Sequence, residues 1–356
     1  MRIFKSWFRV LIGGWLVGWL VLAVANCQHG TSAALPTTPA LAAPGPLAVE
    51  VLEFPALIDA ARQRRVPIKV QFPVTAGPFP VVVISHGGGG HWDANFAQAR
   101  HLASHGYAVL ALEHVGSNTA VMQRGGRFGA NLRAMSRDAN EVLGRPQDVS
   151  FALDQAERWN QTDASLRGKL DLQHVGVLGH SFGAYTTLAV LGARPALDWL
   201  TPIVPPGQGL GLDRFDARVD CGVALSPQGP GEPFFLPTSY ASLRRPLLGI
   251  SGSRDRQQGA RPENRRRGFA LWPPGDKYLI WLVNADHTAF SDSTGTPSRM
   301  LPSRTRADVQ PLVRAATLLF FDAYLKGDRA ALQSLTAAGL APYRRGRIDR
   351  VEVLRR

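Results

Sequence analysis

The chain has 356 residues and a formal net charge of +13, long enough for one large α/β domain. Its basic clusters at 254–267 and 343–356 lack interleaved aromatics, which argues against a nucleic-acid partner. The basic surplus has two readings: attraction to anionic lipid or envelope polymers, or a compositional habit alongside the heavy alanine, glycine and proline content.

In chain order, Arg2, Lys5 and Arg9 flank an apolar run from Val10 to Ala25, and Ala23-Val24-Ala25 has the small-x-small pattern of a signal-peptidase site. Residues 1–27 are therefore expected to be a signal peptide or N-terminal anchor, and the chain to be exported. Lipid attachment at Cys27 is an alternative that the preceding Asn26 fits poorly. Residues 28–48, rich in alanine, proline, threonine and glycine, are expected to be a flexible linker to the main folded domain over 49–328.

Pro80-Val81-Val82-Val83-Ile84-Ser85 is a β-branched run suited to a central parallel strand. It ends in His86-Gly87-Gly88-Gly89-Gly90 and enters a helical segment from Trp92 to His105. Glu113 and His114 follow another strand end, where they either shape the pocket floor or stabilise the fold. Arg145-Pro146-Gln147-Asp148 is expected to open a helix, with a structural role for Arg145 and Asp148.

Val175-Gly176-Val177-Leu178 is expected to be a short buried strand and Ala184 to Leu191 a helix. Between them, Gly179-His180-Ser181-Phe182-Gly183 has the G-x-S-x-G pattern of a nucleophile elbow, a turn so tight that the flanking residues must be small. In such a site the glycine loop offers one backbone N–H to a developing oxyanion and the residue after the nucleophile the other. Here these are Gly88, with Gly87 the alternative, and Phe182. The proline- and glycine-rich segment 196–216 is read as a cap over the pocket, and Cys221 as a buried strand residue with no structural disulfide.

Arg245 to Gly252 is expected to be a core strand with Asp255 in the turn after it, and an irregular stretch spans 259–274. Lys277 to Val283 is the next strand, with His287 in the loop that follows. Asp255 and His287 thus fall at strand C-terminal ends, in the order Ser, acid, His. Asp255 would fix the His287 tautomer, and His287 would take the Ser181 proton and return it to the leaving group. Asp286 is a competing acid, disfavoured because adjacent side chains on extended backbone point apart. Residues 307–325 form the last helix, and 329–356 a basic tail.

Taken together, Arg64 to Val70, Ser85 to Gly89, Glu113 to Ser117, Arg145 to Asp148, Gly179 to Gly183, Asp255, His287 to Phe290 and Phe320 to Asp328 resemble the secreted serine α/β-hydrolases known as predicted dienelactone hydrolases. That group is similar to the plasma-type platelet-activating-factor acetylhydrolases. The resemblance implies an α/β-hydrolase fold, mostly parallel with helices on both faces, and ester hydrolysis without cofactor or metal. The chain departs from true dienelactone hydrolase, whose nucleophile is cysteine. Small-molecule, lipid or polymer esters are the substrates this implies, including polyester or a short-chain phospholipid. An amide substrate and a non-catalytic binding protein on the same scaffold are the rivals. Phe182, Trp92 and Phe290 are expected to line an apolar pocket.

Overall fold

The computed structural model describes residues 40–257, 260–292 and 302–356. The expected signal segment 1–27 and its Cys27 lie outside the described residues.

Continuous apolar runs build the sheet. Its strands are β1 (Val49–Phe54), β4 (Ile68–Pro73), β5 (Phe79–Ser85), β6 (Ala108–Leu112), β7 (Leu170–His180), β8 (Cys221–Leu225), β9 (Leu247–Arg254), β10 (Lys277–Asp286) and β11 (Val351–Arg355). A separate two-stranded ribbon pairs β2 (Ile58–Asp59) with β3 (Arg64–Arg65). The nine strands order as β1-β4-β6-β5-β7-β8-β9-β10-β11. From β6 to β10 every pairing is parallel, while β1, β4 and β11 pair antiparallel at the two margins.

Alternation along each strand feeds two cores. Val81 and Val83 face one cluster, and Val82 and Ile84 face the other. The first core is covered by α4 (Ala139–Thr162) and α5 (Phe182–Val190), and the second by α1 (Phe96–Ser104) and α7 (Arg306–Leu325). Strands buried on both faces need no polar face, which is why their sequences read as unbroken apolar runs.

Four expectations need correction. Arg145 to Asp148 does not open a helix but lies inside α4, which starts after the Asp138 cap. Pro146 has no N–H for the Val142 carbonyl four residues back, and the Tyr185 hydroxyl donates to that carbonyl instead at 2.7 Å. The basic tail is part of the body: α8 (Arg329–Ser334) and α9 (Ala337–Leu340) precede β11, which pairs with β10, and Leu340, Tyr343 and Ile348 are buried. The irregular stretch after the acid contains α6 (Glu263–Leu271), whose arginines hid its buried Phe269. At the start, residues 40–48 lie on the body and not in a tether. Ala42 is buried, and Gly45 and Leu47 donate to the Ser104 side chain and carbonyl at 2.8 and 3.2 Å.

Candidate active site

Ser181 sits between β7 and α5 with φ 56° and ψ −115°, a backbone region costly for any residue with a Cβ. The turn is this sharp because its two arms touch. A Cβ on Gly179 would collide with the Gly183 carbonyl, and one on Gly183 with the Ser85 carbonyl. Bonds on both sides of the serine hold the strain. Its N–H donates to the Leu225 carbonyl at 2.9 Å, and its own carbonyl accepts from Gln228 Nε2 at 2.6 Å.

The ends of β9 and β10 bring the other two predicted residues to this turn. His287 Nε2 lies 3.0 Å from Ser181 Oγ, and His287 Nδ1 lies 2.7 Å from Asp255 Oδ1. An ionised carboxylate can only accept, so Nδ1 carries the hydrogen and Nε2 is left to accept from the serine hydroxyl. Asp255 is fully buried, and burial alone would raise its pKa. The Arg265 guanidinium at 3.1 Å, with the His287 imidazole and the Ser251 hydroxyl at 2.7 Å, outweighs burial and holds the carboxyl well below the usual range. Asp286 instead accepts from Thr288, Ser303 and Thr305 and does not reach the imidazole of His287.

His180 braces the main chain of His287. Its Nε2–H donates to the His287 carbonyl at 3.0 Å, and burial, then the neighbouring His287, lowers its pKa to about 3, so it stays neutral.

The glycine loop is set by a second neutral histidine. His86 Nε2 accepts the His114 N–H at 3.0 Å, so Nδ1 carries the hydrogen and donates to the Gly87 carbonyl at 2.6 Å. Gly90 N–H reaches that same carbonyl at 3.0 Å. Because C=O and N–H point oppositely in a planar trans peptide, the Gly88 N–H is turned to the side away from His86. Burial, then Arg145, keeps the His86 pKa well below its ordinary value. Among the described residues, neither the Gly88 amide nor that of Phe182, first in α5, has an acceptor.

Ser181, His287 and Gly88 open on a cavity of about 440 Å³. Its apolar wall comes from Met122, Phe128 and Leu132, carried by α2 (Thr119–Gln123) and α3 (Phe128–Met135). These helices, tied to the glycine loop by Thr119 N–H to the Gly90 carbonyl (2.9 Å), cover the site. The predicted cap does not. None of residues 196–216 lines the cavity, because the segment is bonded to Phe234 and Arg137 beside α5. The expected aromatic lining also fails. Phe290 is wholly buried in the second core, and the Phe182 ring packs between Phe234 and the Arg145 guanidinium. Trp92 lies against the Lys69 ammonium.

Sequence reasoning missed Arg265, Gln228, His180, His86 and Gln257, whose Nε2 donates to Ser181 Oγ at 2.8 Å. Only His86 and His180 carried a signal, as they stand inside the two motifs. Arg145 and Asp148 prove structural for a reason other than helix capping. Arg145 donates to the His86 carbonyl at 2.7 Å, and Asp148 takes ion pairs from Arg62 and Arg64, both at 2.8 Å. His114 lies 2.8 Å from both Ser85 Oγ and Asp148 Oδ2, so the fold-stabilising role is the one it fills. Glu113 accepts from Asn118 at 2.7 Å.

The chain is 24% identical over 301 residues to platelet-activating factor acetylhydrolase of Cavia porcellus, covering 74% of this chain and 62% of that one. It is 26% identical over 145 residues to Cutinase est2 of Thermobifida alba, covering 39% and 48%. The chain therefore spans less than two-thirds of either relative. Its fold is similar to that of a ferulic acid esterase from Streptomyces cinnamoneus, with a TM-score of 0.57 and 23% identity over 81% of this chain and 93% of that one. A family model described as the Alpha/beta hydrolase family matches residues 81–355, and the chain belongs to that family.

Proposed function

We propose that the protein is a serine carboxylic-ester hydrolase acting on small or short-acyl esters through an acyl-enzyme. The observation that carries this reading is the hydrogen-bonded run from Asp255 through His287 to Ser181 at the mouth of a cavity. Ser181 Oγ bonds to the ester carbonyl carbon while its proton passes to His287 Nε2. The carbonyl electrons move onto oxygen, which the Gly88 and Phe182 amides receive. Collapse breaks the bond to the alcohol, which leaves with the His287 proton. Water then repeats the sequence and frees the acid. This chemistry draws on no metal or organic cofactor.

The relatives named above are an acetylhydrolase, a cutinase and an esterase, which supports an ester over an amide. A polyester or a short-chain phospholipid is the second reading, on the same names, and a chain-length series of esters separates the two. Export, with an envelope or membrane-surface setting, belongs to this proposal on the strength of residues 1–27.

Ser181→Ala tests it. Loss of the nucleophile costs about a million-fold, so p-nitrophenyl acetate turnover should vanish along with fluorophosphonate labelling. Retention of about a tenth of the wild-type rate would remove Ser181 from the mechanism.

A further inference from the structure

Ser181 Oγ has two partners in the resting site. It donates to His287 Nε2 at 3.0 Å, and it accepts from Gln257 Nε2 at 2.8 Å. Gln257 lies two residues beyond Asp255, on the turn that leaves β9, and lines the cavity. Its amide N–H is thus aimed at the one oxygen that is nucleophile in the first half of the reaction and leaving group in the second. We propose that Gln257 is a catalytic residue for deacylation, donating to Ser181 Oγ as the acyl-enzyme bond breaks. The inference rests on the ester-hydrolase reading above.

The asymmetry comes from the acceptor strength of Oγ. In the acyl-enzyme, Oγ is the bridging oxygen of an ester, its lone pair is shared with the carbonyl, and it accepts weakly. When the second tetrahedral intermediate collapses, Ser181 Oγ regains the electron pair of the breaking bond to the acyl carbon, and the His287 proton moves to Oγ. Negative charge grows on Oγ during that step, so a donor already in place gains strength at the transition state over the ground state. In acylation the same donor engages a free hydroxyl from the start, and no comparable gain arises. Gln257 therefore speeds release of the acyl group without speeding its capture.

Stopped-flow hydrolysis of p-nitrophenyl acetate by the full-length protein separates the two steps, with the burst reporting acylation and the steady phase deacylation. In Gln257→Ala, deacylation should fall about three- to tenfold, the worth of one neutral hydrogen bond, while acylation holds or rises. The acetyl adduct on Ser181 should accumulate in intact-mass spectra. Gln257→Glu keeps the side-chain volume and, when ionised, cannot donate. It should show the same split, which guards against a packing defect in the alanine variant. An equal fall in both steps would mean that Gln257 merely braces the site. Faster acylation with unchanged deacylation would make it a screen over the serine. Either result, or no change at all, overturns the proposal. Wild-type protein that fails to label with a fluorophosphonate sinks the ester-hydrolase reading itself, and this inference with it, before any variant is made.

Discussion

Among the described residues, two serine–histidine–aspartate chains stand side by side in type, and they differ in almost everything except their bond lengths. Ser181–His287–Asp255 has contacts of 3.0 and 2.7 Å, and Ser85–His114–Asp148 has contacts of 2.8 and 2.8 Å. The imidazole of His287 is 14% exposed beside a cavity, and that of His114 is 0% exposed. Ser181 stands in a strained turn, whereas Ser85 ends an ordinary strand. The chain at the cavity also has amides close by that lack acceptors among the described residues, while the inner one is locked to Arg62 and Arg64 through Asp148. Residue types and hydrogen bonds do not define a reactive site. A reachable nucleophile and unpaired donors in front of it do.

The sharpest way to break this contrast is to remove each serine in turn. Ser181→Ala should lose about a million-fold in turnover of p-nitrophenyl acetate. Ser85→Ala should keep turnover near wild type and lose about 1–3 kcal/mol in urea unfolding, because the His114 Nε2 acceptor is left buried and unpaired. A large activity loss in a stable Ser85→Ala protein would erase the distinction. The two aspartates come next. Asp255→Asn should lower kcat about ten-thousand-fold, since an amide can donate to His287 Nδ1 and favour the wrong tautomer. Asp148→Asn should cost about 1–3 kcal/mol of stability, since Arg62 keeps Asp59 and Arg64 keeps Glu141 while each loses its buried second carboxylate, with kcat of the folded enzyme little changed.

His86 joins the two regions, since its ring accepts the His114 N–H and donates to the Gly87 carbonyl. His86→Ala frees the Gly87–Gly88 peptide to rotate. We expect kcat to fall about ten- to a hundredfold with KM steady, less than outright loss of an oxyanion donor. A rise in KM alone would show that the loop serves binding instead.

With all three residues of the inner chain intact, the buried imidazoles should still show in the pH dependence of stability. His86 and His114 are held neutral by burial and then by Arg145, and His180 by burial and then by His287. Below about pH 6.5 the unfolded chain binds a proton at each of these positions and the folded chain does not. Stability should therefore be full above about pH 6.5 and decline as the pH falls toward the folded values, by up to about 1.4 kcal/mol per unit for each histidine. Urea unfolding at pH 7 and pH 5 measures the slope, and His114→Gln should make it shallower by one proton.

Much of this was legible in the residues because it is local. The elbow needs two glycines within five positions, and the strands of the parallel sheet show as apolar runs, so Ser181, Asp255 and His287 could be set at strand ends. What was illegible depends on partners far along the chain. Pro146 reads as a helix start until Tyr185 supplies the missing donor to Val142. Arg265 looks like one more arginine in a basic run, although it balances the charge of Asp255. The final strand was masked by the arginines around it, and its place shows only in its pairing with β10. The walls of the cavity come from short helices after the glycine loop, a region whose sequence gave no sign of covering anything.

Crowding at Gly179 and Gly183 has a consequence for inheritance. Each position excludes a Cβ because of backbone atoms opposite, whatever side chain occupies 181. A descendant that had lost the serine would still have to keep both glycines to preserve the bend. The glycines thus report ancestry and shape, and the serine alone can testify to chemistry.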